Sequence, residues 1–260
     1  MKRIIISLVF LLLSAGLASA AMTVEQIVER ANTTAYYAGD DGRASVHMTI
    51  TDGQGRERQR EFVILRRDES DGGGQKFYVY FEKPSDVRKM VFMVHKHIDR
   101  DDDRWLYLPA LSLVKRIAAS DKRTSFVGSH FFYEDVSGRS TEEDKHELVE
   151  ETKQFYILKN MPKEPDKVEF ASYTVWIDKK TFMPMKAEYL DKKGRLYRRV
   201  EALEVKDIEG FPTVTRSRVE DVLNGEQTVS EFTDIKYNIG LDDAIFTERY
   251  LHRPPKEVRR

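Results

Sequence analysis

The 260-residue sequence contains no cysteine. Disulfides therefore add nothing to its stability, and it has no thiol to act as nucleophile or metal ligand. A lipid anchor placed just after the N-terminal leader would also need a cysteine. An excess of one charge is lacking too: 43 Lys and Arg stand against 44 Asp and Glu. That balance gives no electrostatic case for nucleic acid. The usual catalytic signatures are missing, with no Gly-x-Ser-x-Gly, no His-Glu-x-x-His and no phosphate loop. Nothing in the composition marks a linker or a repeat.

Apolar runs long enough to span a membrane are absent as well. Ile4 to Leu17 is apolar, but it falls short of the roughly 20 residues a spanning helix needs. Lys2 and Arg3 precede it and Ala18-Ser19-Ala20 follows it. This is the pattern of a cleaved secretory signal, so residues 1–20 stand outside the fold. The mature chain is expected in the periplasm, soluble and not lipid-anchored. Residues 21–250 are expected to form a single β domain. Residues 251–260, with Pro254-Pro255 and several basic groups, are expected to be a flexible tail.

What the chain does have is alternation. Thr23 to Ala38 reads as a helix, with Thr23 and Gln26 in a capping box and Val24, Ile27, Val28, Ala31 and Ala35 on one face. From Arg43 the period changes to 2. Ala44, Val46, Met48 and Ile50 alternate with polar residues, and a turn begins at Asp52-Gly53. Strand patterns follow at Arg58 to Arg67, Gln75 to Glu82 and Lys89 to His95, then from Lys145 to Tyr237 with only short turns between. Asn224-Gly225 is the strongest hairpin signal. About ten or eleven strands are expected, with no βαβ alternation, hence an antiparallel sheet. The simplest architecture is one strongly curved sheet with helices packed against its concave face.

Four polar patterns call for a decision. Asp99-x-Asp101-x-Asp103 opens like a calcium loop, but Arg104 stands where Gly is needed and Ala110 where Glu is needed. It reads as a solvated turn. His95-x-His97 places two imidazoles on one strand face without a third ligand at fixed spacing. Ser112-x-x-Lys115 lacks the companion elements of a Ser-Lys enzyme. Glu134-Asp135 reads as a helix cap or as ion-pair partners of Lys122 or Arg123.

The remaining feature is excess apolar area. Phe62 to Leu65, Phe77 to Phe81 and Met90 to Val94 carry bulky groups on both faces. A single antiparallel sheet normally leaves one face polar. The second face needs a cover, and the expected helices are too few. Either a filled core or a concavity for an apolar ligand follows. Met48, Met90, Met93, Met183 and Met185 suit an irregular partner.

Four motifs then carry a resemblance. Trp105-x-Tyr107-Leu108-Pro109-Ala110-Leu111 is followed by a basic pair and Ile117. Gly128-Ser129 precedes Phe131, Tyr133, Glu134 and Asp135. Met183-Pro184 follows the Trp176-Ile177-Asp178 hairpin. Long meandering strands end the chain. Over residues 22 to 250 the chain resembles the periplasmic lipoprotein-carrier superfamily (LolA/LolB-like), in the outer membrane lipoprotein-sorting branch. His130 and Phe132 depart from the more polar Asp and Ser of the pattern. The resemblance implies a half-open antiparallel β-barrel with a helical lid over a hydrophobic cavity for acyl chains. It implies a non-enzymatic carrier without cofactor. The implied partners are a lipid or acylated protein, an inner-membrane exporter of the resistance-nodulation-division or ABC type, and an outer-membrane acceptor. On that reading Met48, Ile50, Phe62, Ile64, Val79, Phe81, Phe92, Trp105 and Tyr107 line the cavity. Phe126, Phe131, Phe132 and Tyr133 form the lid, and Lys115 and Arg116 meet a headgroup or a partner. The competing class is an accessory subunit of an envelope complex with a filled β core; a lipid-acting enzyme comes third.

Overall fold

The computed structural model describes residues 22–70 and 72–259. The expected signal segment lies outside the described residues.

The chain opens with α1 (Val24–Tyr36), whose Thr23 side chain accepts from the Gln26 N–H while Gln26 reaches back to the Thr23 N–H. This is the capping box expected from the sequence. Six strands follow: β1 (Asp41–Thr51), β2 (Glu57–Asp68), β3 (Gln75–Lys83), β4 (Val91–Lys96), β5 (Asp103–Leu108) and β6 (Leu113–Arg116). A loop-rich connection holds the short α2 (Tyr133–Ser137). Seven more strands come next: β7 (Asp144–Glu151), β8 (Phe155–Pro162), β9 (Phe170–Asp178), β10 (Pro184–Asp191), β11 (Leu196–Ile208), β12 (Phe211–Asp221) and β13 (Glu226–Tyr237). The chain ends in α3 (Glu248–His252) and single helical turns on either side of it.

Among the described residues all thirteen strands form one antiparallel sheet in the order β6-β5-β4-β3-β2-β1-β13-β12-β11-β10-β9-β8-β7. Each half is a meander of neighbouring hairpins, and β1 pairing with β13 joins the halves. The sheet is not closed into a barrel, because β6 and β7 are its edges. The strand count exceeds the expected ten or eleven. One addition is β6, which the sequence presents only as a short basic-apolar segment.

The strands of the first half bury both faces. On the inner face Val46, Met48, Phe62, Val79, Phe92 and Leu106 belong to one cluster. On the outer face Val63, Leu65, Tyr78, Met93 and Trp105 form another. The outer cover is the C-terminal segment, which places Ile245, Phe246, Leu251 and Val258 against that face, each 3% exposed or less. Tyr78 donates to the Tyr250 carbonyl at 2.7 Å, and Arg67 to the Leu241 carbonyl at 2.6 Å. Residues 251–259 are therefore a docked part of the fold, not the free tail expected from Pro254-Pro255. A prolyl pair stops ladder pairing but does not stop apolar neighbours from packing. On the inner face of the second half, α1 buries Ile27 and Ala31 against Leu158 and Ile177.

Candidate binding recess

Two adjoining cavities lie on the inner face, of about 300 Å³ and about 370 Å³. Both sit at the low end of the roughly 300–1,000 Å³ range of small-ligand sites. Tyr36, Phe131, Asp135, Met183, Val214 and Phe232 line both. The first cavity is apolar, with Met48, Phe62, Ile64, Phe77 and Val79 supplied by β1 to β3. The second lies under α1, against β8 to β11, and is more polar: Arg123, Glu134, Arg139, Asn160, Tyr173 and Tyr189 line it.

The expected cavity residues divide into three groups. Met48, Phe62, Ile64 and Val79 line the first cavity. Ile50, Phe81 and Phe92 share their face but are sealed off, each 1% exposed or less. Phe126 covers Phe92 and Phe81, with its ring 5.4 Å and 5.8 Å from theirs, and lies 6.3 Å from Phe62. Trp105 and Tyr107 lie on the outer face, contrary to expectation. The β4–β5 register sets Trp105 opposite Met93 and Leu106 opposite Phe92. Directly paired residues share a face, so Leu106 and Leu108 take the inner side. Tyr107 instead meets His252 edge-on at 4.6 Å, and Trp105 meets His95 at 4.9 Å.

Lys115 and Arg116 are exposed on the edge strand β6 and line neither cavity. Arg116 stacks over Trp105 at 4.7 Å and pairs with Asp103 at 3.1 Å. These contacts turn it towards the outer face. The histidine pair is likewise occupied locally: His95 Nε2 faces the Phe246 carbonyl at 2.7 Å and His97 Nε2 faces Asp103 at 3.1 Å.

The connection between the halves crosses the inner face. Its turn is held by the Phe126 N–H donating to the Phe131 carbonyl at 2.7 Å, with Val127 and Gly128 at φ 49° and 76°. His130 pins it to β13 through Thr228 at 2.8 Å and Glu226 at 3.1 Å. Phe131 reaches both cavities. Tyr133 packs into the inner cluster. Phe132 lies under two guanidinium groups, Arg198 at 4.4 Å and Arg123 at 4.9 Å.

Glu134 is 2% exposed and anchors this connection. Arg123 donates to it at 2.5 Å, Lys122 lies at 3.1 Å and Arg139 at 3.4 Å. Burial pushes its pKa up, but the three cations outweigh that and hold it down at about 2. Asp135 accepts from the Phe132 N–H and from Arg198. The Glu134-Asp135 pair thus does the capping and ion pairing expected of it. Sequence reasoning missed Tyr36 and Tyr189, whose phenols face the second cavity. A tyrosine at a helix end or in a half-buried strand gives no signal of a free hydroxyl.

A family model described as an uncharacterized protein matches residues 73–253. A DUF1329 family protein from Desulfovibrio piger is 30% identical, with a TM-score of 0.78, over 86% of this chain and 95% of that one. The chain belongs to the DUF1329 family. Another similar structure is a putative outer membrane lipoprotein-sorting protein domain from Vibrio parahaemolyticus, 28% identical with a TM-score of 0.79, over 87% and 97% of the two chains. A LolA superfamily protein from Nitrosomonas europaea, at 22% identity and a TM-score of 0.68, covers 88% of this chain and 100% of its own, and shares the fold. These neighbours of the DUF1329 chain agree with the lipoprotein-sorting resemblance carried by its motifs. Among curated proteins none matches.

Proposed function

We propose that this chain is a soluble periplasmic carrier that takes the acyl chains of a lipid or lipoprotein into the inner-face recess. The observation that supports it is an apolar cavity between two leaves of an unclosed sheet, spanned by α1 and Phe131. The similarity, at 28% identity, to an outer membrane lipoprotein-sorting protein domain described as putative adds weight to the same reading. The physical need is large. A lipid with about 30 methylenes exposed to water loses on the order of 24 kcal/mol. A carrier offsets most of that by surrounding the tails.

In this reading the segment from Phe126 to Tyr133 acts as the lid and no chemical step is catalysed. Loading requires an energised donor, such as an inner-membrane exporter of the resistance-nodulation-division or ABC type, and unloading requires an outer-membrane acceptor. The test is native mass spectrometry of the purified mature chain, followed by lipid extraction. Co-purifying lipid, and binding of the neutral dye N-phenylnaphthylamine after delipidation, are the expected results. Absence of both sinks the carrier reading and leaves the accessory-subunit alternative.

A further inference from the structure

The second cavity carries more polar groups than the first, yet its charges are already spent on one another. Arg123 is bound to Glu134 and Glu169, the latter at 2.7 Å. Arg139 is bound to Asp144 at 2.8 Å. Lys186 faces Glu188 at 3.3 Å and lies 3.6 Å over the Trp176 ring. Arg198, beside the same wall, donates to Asp135 at 2.5 Å. Each cation on this wall therefore faces a carboxylate; Arg198 Nε and Nη1 make no hydrogen bond of their own, but they are buried and Arg198 is not part of the cavity lining.

Two hydroxyls of the cavity lining are without partners. The hydroxyls of Tyr36 and Tyr189 make no hydrogen bond to any described residue, although both rings line the cavity. They are near enough to interact, with Asp135 and Arg198 beside both. Neither hydroxyl is among the fully buried atoms left unsatisfied, and both residues are half-buried, so each donor is open to the cavity. Burial, with Asp135 next in effect, pushes the Tyr36 phenol up, and burial raises Tyr189 as well. Both remain protonated, so each offers one O–H donor. Asp135 lies beside both, Arg198 and Arg123 face Tyr189 as well, and all three are already ion-paired, so an incoming carboxylate would lose its hydration here without gaining an unpaired cation. The apolar cavity adjoins across Tyr36 and Phe131, which sets these donors where apolar chains would end.

We propose that the second cavity binds a neutral carbonyl, the ester or amide that joins acyl chains to a polar head, through the hydroxyls of Tyr36 and Tyr189, and that it rejects a free carboxylate. This deepens the carrier reading and rests on it.

The experiment displaces N-phenylnaphthylamine from the delipidated mature chain with monoolein, oleamide or oleate at pH 8. These share a chain and differ in the terminal group: neutral ester, neutral amide or carboxylate. Monoolein and oleamide are expected to compete at about tenfold lower concentration than oleate, because a carboxylate is desolvated here without an unpaired cation to receive it. Monoolein ahead of oleamide points to glycerolipid-type esters, and the reverse order to N-acyl groups; either supports the neutral-carbonyl site. Tyr36→Phe and Tyr189→Phe are each expected to weaken the two neutral ligands about fivefold and to leave oleate unchanged. Thermal melts of both variants verify the fold. Oleate competing as well as the neutral ligands, or neutral ligands indifferent to both substitutions, overturns this proposal while the carrier reading stands. Dye binding that none of the three displaces, or no dye binding, overturns both.

Discussion

Phe126 meets Phe92 edge to face, with ring centroids 5.4 Å apart and planes at 63°. One ring comes from the connection between the halves and the other from β4, the third strand in from the β6 edge. The contact makes the connection part of the inner core. Phe126 is 3% exposed, so Phe126→Ala should leave an internal void and cost about 3–5 kcal/mol. Urea unfolding monitored by circular dichroism measures this. A loss below about 1 kcal/mol would mean that the segment is loosely held.

The outer face gives a second expectation. Leu251 is fully buried against the sheet. Leu251→Ala should destabilise the chain by about 2–5 kcal/mol without changing affinity for N-phenylnaphthylamine, because the residue lies on the far side of the sheet from the recess. A change in dye affinity larger than the change in folded fraction would contradict that placement.

Glu134 predicts an acid response. Its folded pKa of about 2 lies below the ordinary 4.5, so the unfolded chain takes up this proton first. Its stabilisation is complete above about pH 4.5 and is lost as pH falls through about 2, on the order of 3 kcal/mol in all. Glu134→Gln should flatten the dependence of stability on pH in that window. It should also lower stability at neutral pH, since three cations lose their shared partner. Denaturant titrations between pH 2 and pH 7 test both, and an unchanged slope would assign the acid response to other carboxylates.

Phe232 is half-buried and lines both cavities. Phe232→Asp should reduce dye affinity more than about tenfold, since it puts a charge on the apolar wall. Its carboxylate can hydrate in the recess, so the melting temperature should fall by only a few degrees, roughly 1 kcal/mol. Equal dye affinity in the variant would place the ligand elsewhere.

Much of this arrangement was readable from residue order. The alternation around Met48, Phe62 and Val79 selects the inner face correctly, because the neighbours in β1 are polar enough to break the symmetry. In β5 the alternation carries no such information: Trp105, Leu106, Tyr107 and Leu108 are all apolar, and aromatic bulk favours the wrong pair. Only the pairing of Met93 with Trp105 decides the face, and that depends on the geometry of the intervening turn. The two-sided apolar strands announced a missing cover. Ile245, Phe246, Leu251 and Val258 provide it, although prolines and basic residues make that stretch look like a tail. The paired state of Glu134 was legible because cations stand nearby in sequence. The free hydroxyls of Tyr36 and Tyr189 were not, since the absence of a partner is a property of three-dimensional surroundings.

The pairing of β1 with β13 has a temporal consequence. Asp41–Thr51 leaves the ribosome, and by the leader reading crosses the membrane, well before Glu226–Tyr237. Each leaf can assemble from local hairpins, which is the fast kind of contact. The space between the leaves cannot exist until the last strand arrives. A chain halted before Glu226–Tyr237 lacks the strand that joins the leaves, so the inner-face recess forms in one late step and not gradually.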